Sequence, residues 1–218
     1  MPRSLRSAIA ILVSAVLLCT PALAYDTPLS DQAVREAYFL GQRRDESMAA
    51  FLNKYTKFLA APKNGPYIDS VTFLTPFALL VQYSSRQSNY SAQQAAIDHK
   101  AQDEIVEISV DILLTQSYGP FVTKPTRSSS GSSVGFQRRS PEFWRKFRIF
   151  DGKEEISTDD ITGESNYGNC DAPPCDLTGA TVYIRFPAVA FTSNTATIDI
   201  TPPEGDPVSV DFDLSSLR

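Results

Sequence analysis

Val106-Glu107-Ile108-Ser109-Val110-Asp111-Ile112-Leu113-Leu114 is the stretch that decides the fold. Side chains of a strand point to opposite faces at successive residues. Val106, Ile108, Val110, Ile112 and Leu114 therefore share one apolar face, while Glu107, Ser109 and Asp111 stay wet. A strand with one wet face belongs to an antiparallel sheet, because parallel sheets are covered on both sides.

Toward the C-terminus, short β-rich runs follow one another. Phe143 to Phe150 and Lys153 to Thr158 read as a hairpin across Asp151-Gly152, a type I′ turn with both residues at positive φ. Further strands are expected at Thr181–Phe186, at about Ala188–Phe191, at Thr195–Thr201 and at Val208–Leu214. The last two are joined by Pro202-Pro203-Glu204-Gly205-Asp206-Pro207, a turn made of chain breakers. Ala196, Ile198 and Ile200 face one way, and Val208, Val210 and Phe212 match them. Two spans read as loops: the Ser/Gly-rich residues 126–135 and the polar residues 159–179.

Toward the N-terminus, Ile68–Leu74 and Phe77–Tyr83 read as strands parted by Pro76, the second because Phe77, Leu79, Val81 and Tyr83 alternate. Ser91-Ala92-Gln93-Gln94 is a capping-box pattern that opens a short helix reaching about Asp103. Residues 25–66 read as helical. Ser30 is an N-cap, and Leu29 and Val34 sit at staple positions. Val34, Ala37 and Tyr38 start an apolar stripe, which Met48, Phe51, Leu52, Tyr55 and Leu59 continue at helical spacing. Gly41 parts two helices, and Asp45 caps the second. The expected fold is mainly β (α+β). It has an antiparallel β-sandwich over residues 67–218, with the immunoglobulin-like arrangement as one form it could take, plus the N-terminal helical segment and one short inserted helix.

The first 24 residues read as a secretory signal peptide. Arg3 and Arg6 form a positive n-region, and Ala8 to Leu18 an apolar run too short to span a bilayer. Ala22-Leu23-Ala24 is a cleavage site that leaves Tyr25 first. Cys19 offers the alternative of lipid attachment, although Leu18 is not the small residue that normally precedes such a cysteine. Removing residues 1–24 leaves 194 residues and takes away two Arg, so the formal charge moves from −5 to −7. That acidic balance argues against nucleic acid as a global partner. Beyond the signal, no apolar run is long enough for a transmembrane segment. Cys170 and Cys175 remain, and in an oxidising compartment a disulfide is their default state. Two thiolates with no following His are too few for a zinc site.

Chemistry is sparse. Gly131-Ser132-Ser133-Val134-Gly135 matches G-x-S-x-G, but a nucleophile elbow needs a strand before it, a helix after it and a later His. The single His, His99, comes earlier and reads as an exposed residue on the polar side of its helix. Glu154, Glu155, Asp159, Asp160 and Glu164 crowd one polar segment, where a glycosidase pair would need one carboxyl out of water. No cofactor or metal motif is present. One basic stretch stands out: Arg138, Arg139, Arg145, Lys146 and Arg148 are interleaved with Phe143, Trp144, Phe147 and Phe150. Trp144, Arg145, Arg148, Arg138 and Arg139 are the candidate contacts to an anionic or sugar-rich partner, through stacking and cation–π attraction. The plainer reading puts the cations on the solvent face of an edge strand.

The run from Ala37 to Asp45, the run from Ala50 to Tyr55, the Phe143-Trp144 pair and the close at Phe212-Asp213-Leu214 resemble a set of exported bacterial proteins of uncharacterised function. The resemblance covers most of the mature chain. It implies a bacterial, exported origin and carries no activity, cofactor or site residue. The expected function is an exported, non-enzymatic binding or structural protein of the periplasm or cell envelope, with an envelope protein or glycan as partner. The alternatives are a carboxylate-dependent envelope hydrolase acting on glycans, and a lipidated surface protein.

Overall fold

The computed structural model describes residues 24–115, 121–128, 131–138, 146–168, 175–201 and 206–218, with the backbone alone described over 121–138. The helices are α1 (Asp31–Arg43), α2 (Glu46–Asn53), α3 (Pro76–Arg86) and α4 (Ala92–Lys100). The strands are β1 (Thr56–Phe58), β2 (Pro66–Leu74), β3 (Ile105–Leu114), β4 (Phe121–Ser128), β5 (Gly131–Arg138), β6 (Lys146–Asp151), β7 (Glu154–Ile156), β8 (Ile161–Gly168), β9 (Asp176–Pro187), β10 (Thr195–Thr201) and β11 (Val208–Asp213).

Two antiparallel sheets carry the fold. One runs β1-β2-β3-β9-β8 and the other β11-β10-β6-β7. β3 is central in the first, paired with β2 on one side and β9 on the other. Its alternation is the one expected: Val106, Ile108, Val110 and Ile112 are buried, while Glu107, Ser109 and Asp111 are half-buried on the opposite face. Val182, Ile184 and Phe186 of β9 and Val71 and Phe73 of β2 join the same core, and Ile149, Ala196, Ile198, Ile200, Val210 and Phe212 close it from the second sheet. Phe73 spans the two layers, meeting Phe191 at 5.0 Å and Phe212 at 5.6 Å between ring centroids. The architecture is therefore mainly antiparallel β, sandwich-like, with helices added.

The helices form a second, smaller core. Leu29, Ala33, Val34 and Ala37 pack against Phe77, Val81 and Ala95. Phe51 links the two cores, 5.0 Å from Tyr55 and 5.7 Å from Phe77. The caps act as the sequence implies: the side chains of Ser30, Asp45 and Ser91 accept the N–H groups of Ala33, Met48 and Gln94.

Several expectations are corrected. Phe77–Tyr83 is helix, not strand. Thr75 caps it, Pro76 sits at its first turn where a missing N–H costs nothing, and Phe77, Ala78, Val81 and Ser84 are buried at helical spacing. The period-2 pattern fails at Tyr83, which is 48% exposed. The segment read as helical, 25–66, contributes β1 to the edge of the first sheet. Of residues 126–135, expected as a loop, 126–128 belong to β4 and 131–135 to β5, which pair from Phe121↔Arg138 to Ser128↔Gly131, and 129–130 lie outside the described residues. Within the loop expected over 159–179, Ile161–Gly168 form β8, which pairs with β9, and 176–179 begin β9 itself, while 169–174 lie outside the described residues. Ala188–Ala190 is a 3₁₀ turn rather than a strand. The hairpin after β6 closes one residue later than expected. Asp151 pairs with Glu154, so Gly152 and Lys153 form the loop. Gly152 alone of the two has positive φ, +59°, which is the sign pattern of a II′ turn. Asp151 is instead buried, accepting from the Thr192 N–H and hydroxyl at 2.9 Å and from the Ser193 N–H at 2.8 Å.

Candidate functional site

α3 ends at Arg86, α4 runs back from Ala92, and the turn after Lys100 delivers the chain to β3. Between these elements lies a cleft of about 360 Å³. Pro76, Leu79, Leu80 and Ile105 give it apolar surface. Tyr83 and Tyr90 give it an aromatic pair, edge to face at 5.5 Å. Its polar lining comes from Gln82, Arg86, Asp98, His99, Gln102, Asp103, Glu104 and Glu107.

Most of these polar groups are held. Glu104 accepts the Thr27 hydroxyl at 2.6 Å and the Leu29 N–H at 2.6 Å, and pairs with His99 Nε2 at 3.1 Å. Asp98 accepts the Tyr90 hydroxyl at 2.9 Å and the Gln94 amide at 2.6 Å. Burial and that bond to Asp98 together hold the Tyr90 phenol well above its ordinary range. The Tyr90 carbonyl in turn accepts the Tyr38 hydroxyl at 2.8 Å, which ties the cleft to α1. Glu107 accepts Arg185 at 2.7 Å, across β3 and β9. Tyr83, Arg86, Gln102 and Asp103 are the exposed members.

His99 is a correction to the sequence reading. Its side chain is only 19% exposed, because α4 turns it toward Glu104 rather than to solvent. Tyr83, Tyr90 and Glu104 were not singled out by the sequence. Tyr83 is in α3 and Tyr90 in the connection to α4, and no local spacing marks them as a pair.

The residues singled out by the sequence lie elsewhere. Trp144, Arg145 and Arg139 fall outside the described residues, and of Arg138 only the backbone at the end of β5 is described. Arg148 is on the outer face of β6. It gives Glu155 two hydrogen bonds, at 3.1 and 2.8 Å, lies 4.9 Å from the Phe150 ring centroid and stands opposite Asp199 of β10. β6 is an inner strand, flanked by β10 and β7. Arg148 is thus engaged with an acid of its own sheet. Of the acidic segment, Glu154, Glu155, Asp159, Asp160 and Glu164 are all exposed, with Glu155 held by Arg148 and Asp160 within 3.6 Å of Arg185. The G-x-S-x-G run lies inside β5, which continues as strand to Arg138. Cys170 falls outside the described residues, and Cys175 stands just before β9. Ala24 and Tyr25 are both buried against the main core, with the Tyr25 hydroxyl donating to the Ala188 carbonyl at 2.6 Å. Among the described residues, no group of three or more His, Cys, Asp or Glu is placed to hold a metal ion. Nor, among them, is any helix long and apolar enough to cross a membrane.

Comparison with family models, with curated proteins and with solved structures gives no match.

Proposed function

We propose that the protein is an exported, non-enzymatic binding module of the periplasm or cell envelope, and that the cleft between α3, α4 and β3 is its ligand site. One observation carries this. The cleft combines an apolar wall and an aromatic pair with four carboxylates, of which Asp103 stands in solvent and three are already held by donors: Asp98 by two, Glu104 by three and Glu107 by Arg185. A general acid needs a carboxyl in apolar, donor-poor surroundings, and none of these three has them. The lining contains no serine, threonine or cysteine, and its one histidine is engaged with Glu104. Such a cleft orients a small ligand without attacking it.

Export is supported by the n-region, apolar run and A-x-A site of residues 1–24. The Cys170–Cys175 disulfide belongs to the same reading, since an oxidising compartment favours it.

Strand order supports an immunoglobulin-like arrangement. Immunoglobulin-type sandwiches place A-B-E-D in one sheet and G-F-C-C′ in the other. Here β2-β3-β9-β8 and β11-β10-β6-β7 follow the same two orders along the chain. On that correspondence α3 and α4 fill the first connection, and the β4–β5 hairpin lies between the strands that switch sheets. The cleft then sits where an ordinary sandwich has only a short turn.

The test is incubation of the purified protein with a small-molecule extract of the cell envelope, followed by mass spectrometry of the bound and free fractions. A compound retained and released unchanged supports binding. A compound converted on incubation overturns the non-enzymatic reading.

A further inference from the structure

We infer that the cleft takes a small organic cation with an apolar arm, an inference that rests on the cleft being the ligand site. The charge of the lining points there. Asp98, Asp103, Glu104 and Glu107 all line it. The Tyr90 phenol, the Gln94 amide, the Thr27 hydroxyl and the Leu29 N–H are neutral donors, so they hold Asp98 and Glu104 in place without cancelling their charge. Asp103 is exposed and has no ion-pair partner among the described residues. Glu104 also takes His99 Nε2 at 3.1 Å, and Glu107 is matched by Arg185, a cation shared with Asp160. Against these stands Arg86 at the end of α3, solvent-exposed and therefore screened.

The aromatic pair adds a second, independent reason. Tyr83 and Tyr90 stand edge to face at 81°, which leaves the electron-rich face of one ring turned from the other. An ammonium or guanidinium within about 6 Å of such a face is attracted to it, more strongly as water is excluded. The apolar wall of Leu79, Leu80 and Ile105 takes the hydrocarbon arm. A carboxylate ligand of the same shape would meet the acids of the lining, and a neutral one would use the wall alone.

Three probes of one shape separate these cases: phenethylamine, phenethyl alcohol and phenylpropanoate. Each is titrated into the uniformly labelled full-length protein and followed by NMR shifts of cleft residues. The amine should bind about tenfold or more tighter than the alcohol, with the acid weakest. Added salt should weaken the amine selectively. Tyr83→Ala and Asp103→Asn, both at exposed positions that leave the core untouched, should each reduce amine affinity several-fold. Cleft shifts with the alcohol or the acid as the tightest ligand would overturn the cation inference and leave the cleft reading standing. No cleft shifts with any of the three would overturn both.

Discussion

The Thr27 hydroxyl donates to Glu104 at 2.6 Å across 77 residues of chain. The same carboxylate takes the Leu29 N–H and His99 Nε2. Glu104 is thus the point where the strap of residues 25–29, the end of α4 and the start of β3 are fastened together. Charge-assisted bonds of this kind contribute about 1.5–3 kcal/mol each, and removing the acceptor strands its donors. Glu104→Ala should therefore destabilise the protein by about 2–4 kcal/mol. Glu104→Gln, which keeps one acceptor oxygen, should cost less. Urea midpoints with unchanged slopes would measure both.

Gly41 tests the packing of α1 on α3. In an isolated helix, alanine in place of glycine contributes about 1 kcal/mol. Here a Cβ would stand 2.3 Å from the Val81 carbonyl oxygen and 2.9 Å from Ser84 Cβ, and backbone cannot yield as a side chain can. Gly41→Ala should reverse the usual sign and destabilise by about 1–3 kcal/mol. Ser84→Ala is the contrasting change. Ser84 Oγ is buried and has no hydrogen-bond partner among the described residues, so its removal should be neutral or mildly stabilising. A thermal melt of both variants decides the pair.

Tyr25 gives a pH dependence. Burial first, then the charges of Asp151 and Glu104, hold its phenol far above the ordinary range. The unfolded chain loses that proton near pH 10 and the folded chain keeps it, so the unfolded state binds fewer protons there. Stability should be intact below about pH 10 and fall as pH rises beyond it. Tyr25→Phe should make that alkaline limb shallower, the remainder coming from the raised phenols of Tyr90, Tyr55 and Tyr183, while lowering stability at neutral pH, where the bond to Ala188 is lost. Denaturant titrations across the alkaline range would read both effects.

Acid should weaken the fold only slightly. Glu155 is held low by Arg148, Asp31 by Lys100, and Glu36 by Gln32 and then Arg218. Carboxylates lowered in the folded state add stability above their unfolded values, near pH 4, and lose it as pH falls through the folded ones. All three are fully exposed, so salt should erase most of the difference. Melting temperature against pH, at low and high salt, is the measurement.

The mass of the exported protein tests processing and oxidation together. It should correspond to a chain starting at Tyr25 and lacking two hydrogens for the Cys170–Cys175 bond. A lipid-modified chain starting at Cys19 would contradict the first point. A mass that rises by two alkylations without prior reduction would contradict the second.

Long alternation was the most legible signal in the chain. β3 and β10 stand where their patterns placed them, because one face of each is buried against the opposite sheet. Seven residues of apparent alternation in Phe77–Tyr83 misled, since an apolar helix carrying Leu79 and Tyr83 at its sides looks the same over that length. β4, β5 and β8 were hidden because their pairing rests on backbone bonds, with Ser, Gly and charged side chains that carry no hydrophobic pattern. The cleft was illegible for another reason. Tyr83, Tyr90 and Glu104 come together only when α3 and α4 fold back on β3; Tyr83 reads as part of an apolar alternation, and nothing local joins it to Tyr90 or Glu104. The basic stretch drew attention by its composition, yet Arg148 is spent on Glu155.

Native mass spectrometry of the protein purified from the cell envelope, beside its Tyr83→Ala variant, tests the central claim most directly. The cleft reading predicts a non-covalent small-molecule adduct on the wild-type chain that is lost or strongly reduced in the variant. A wild-type chain that carries no adduct, or one retained equally by Tyr83→Ala, would contradict it.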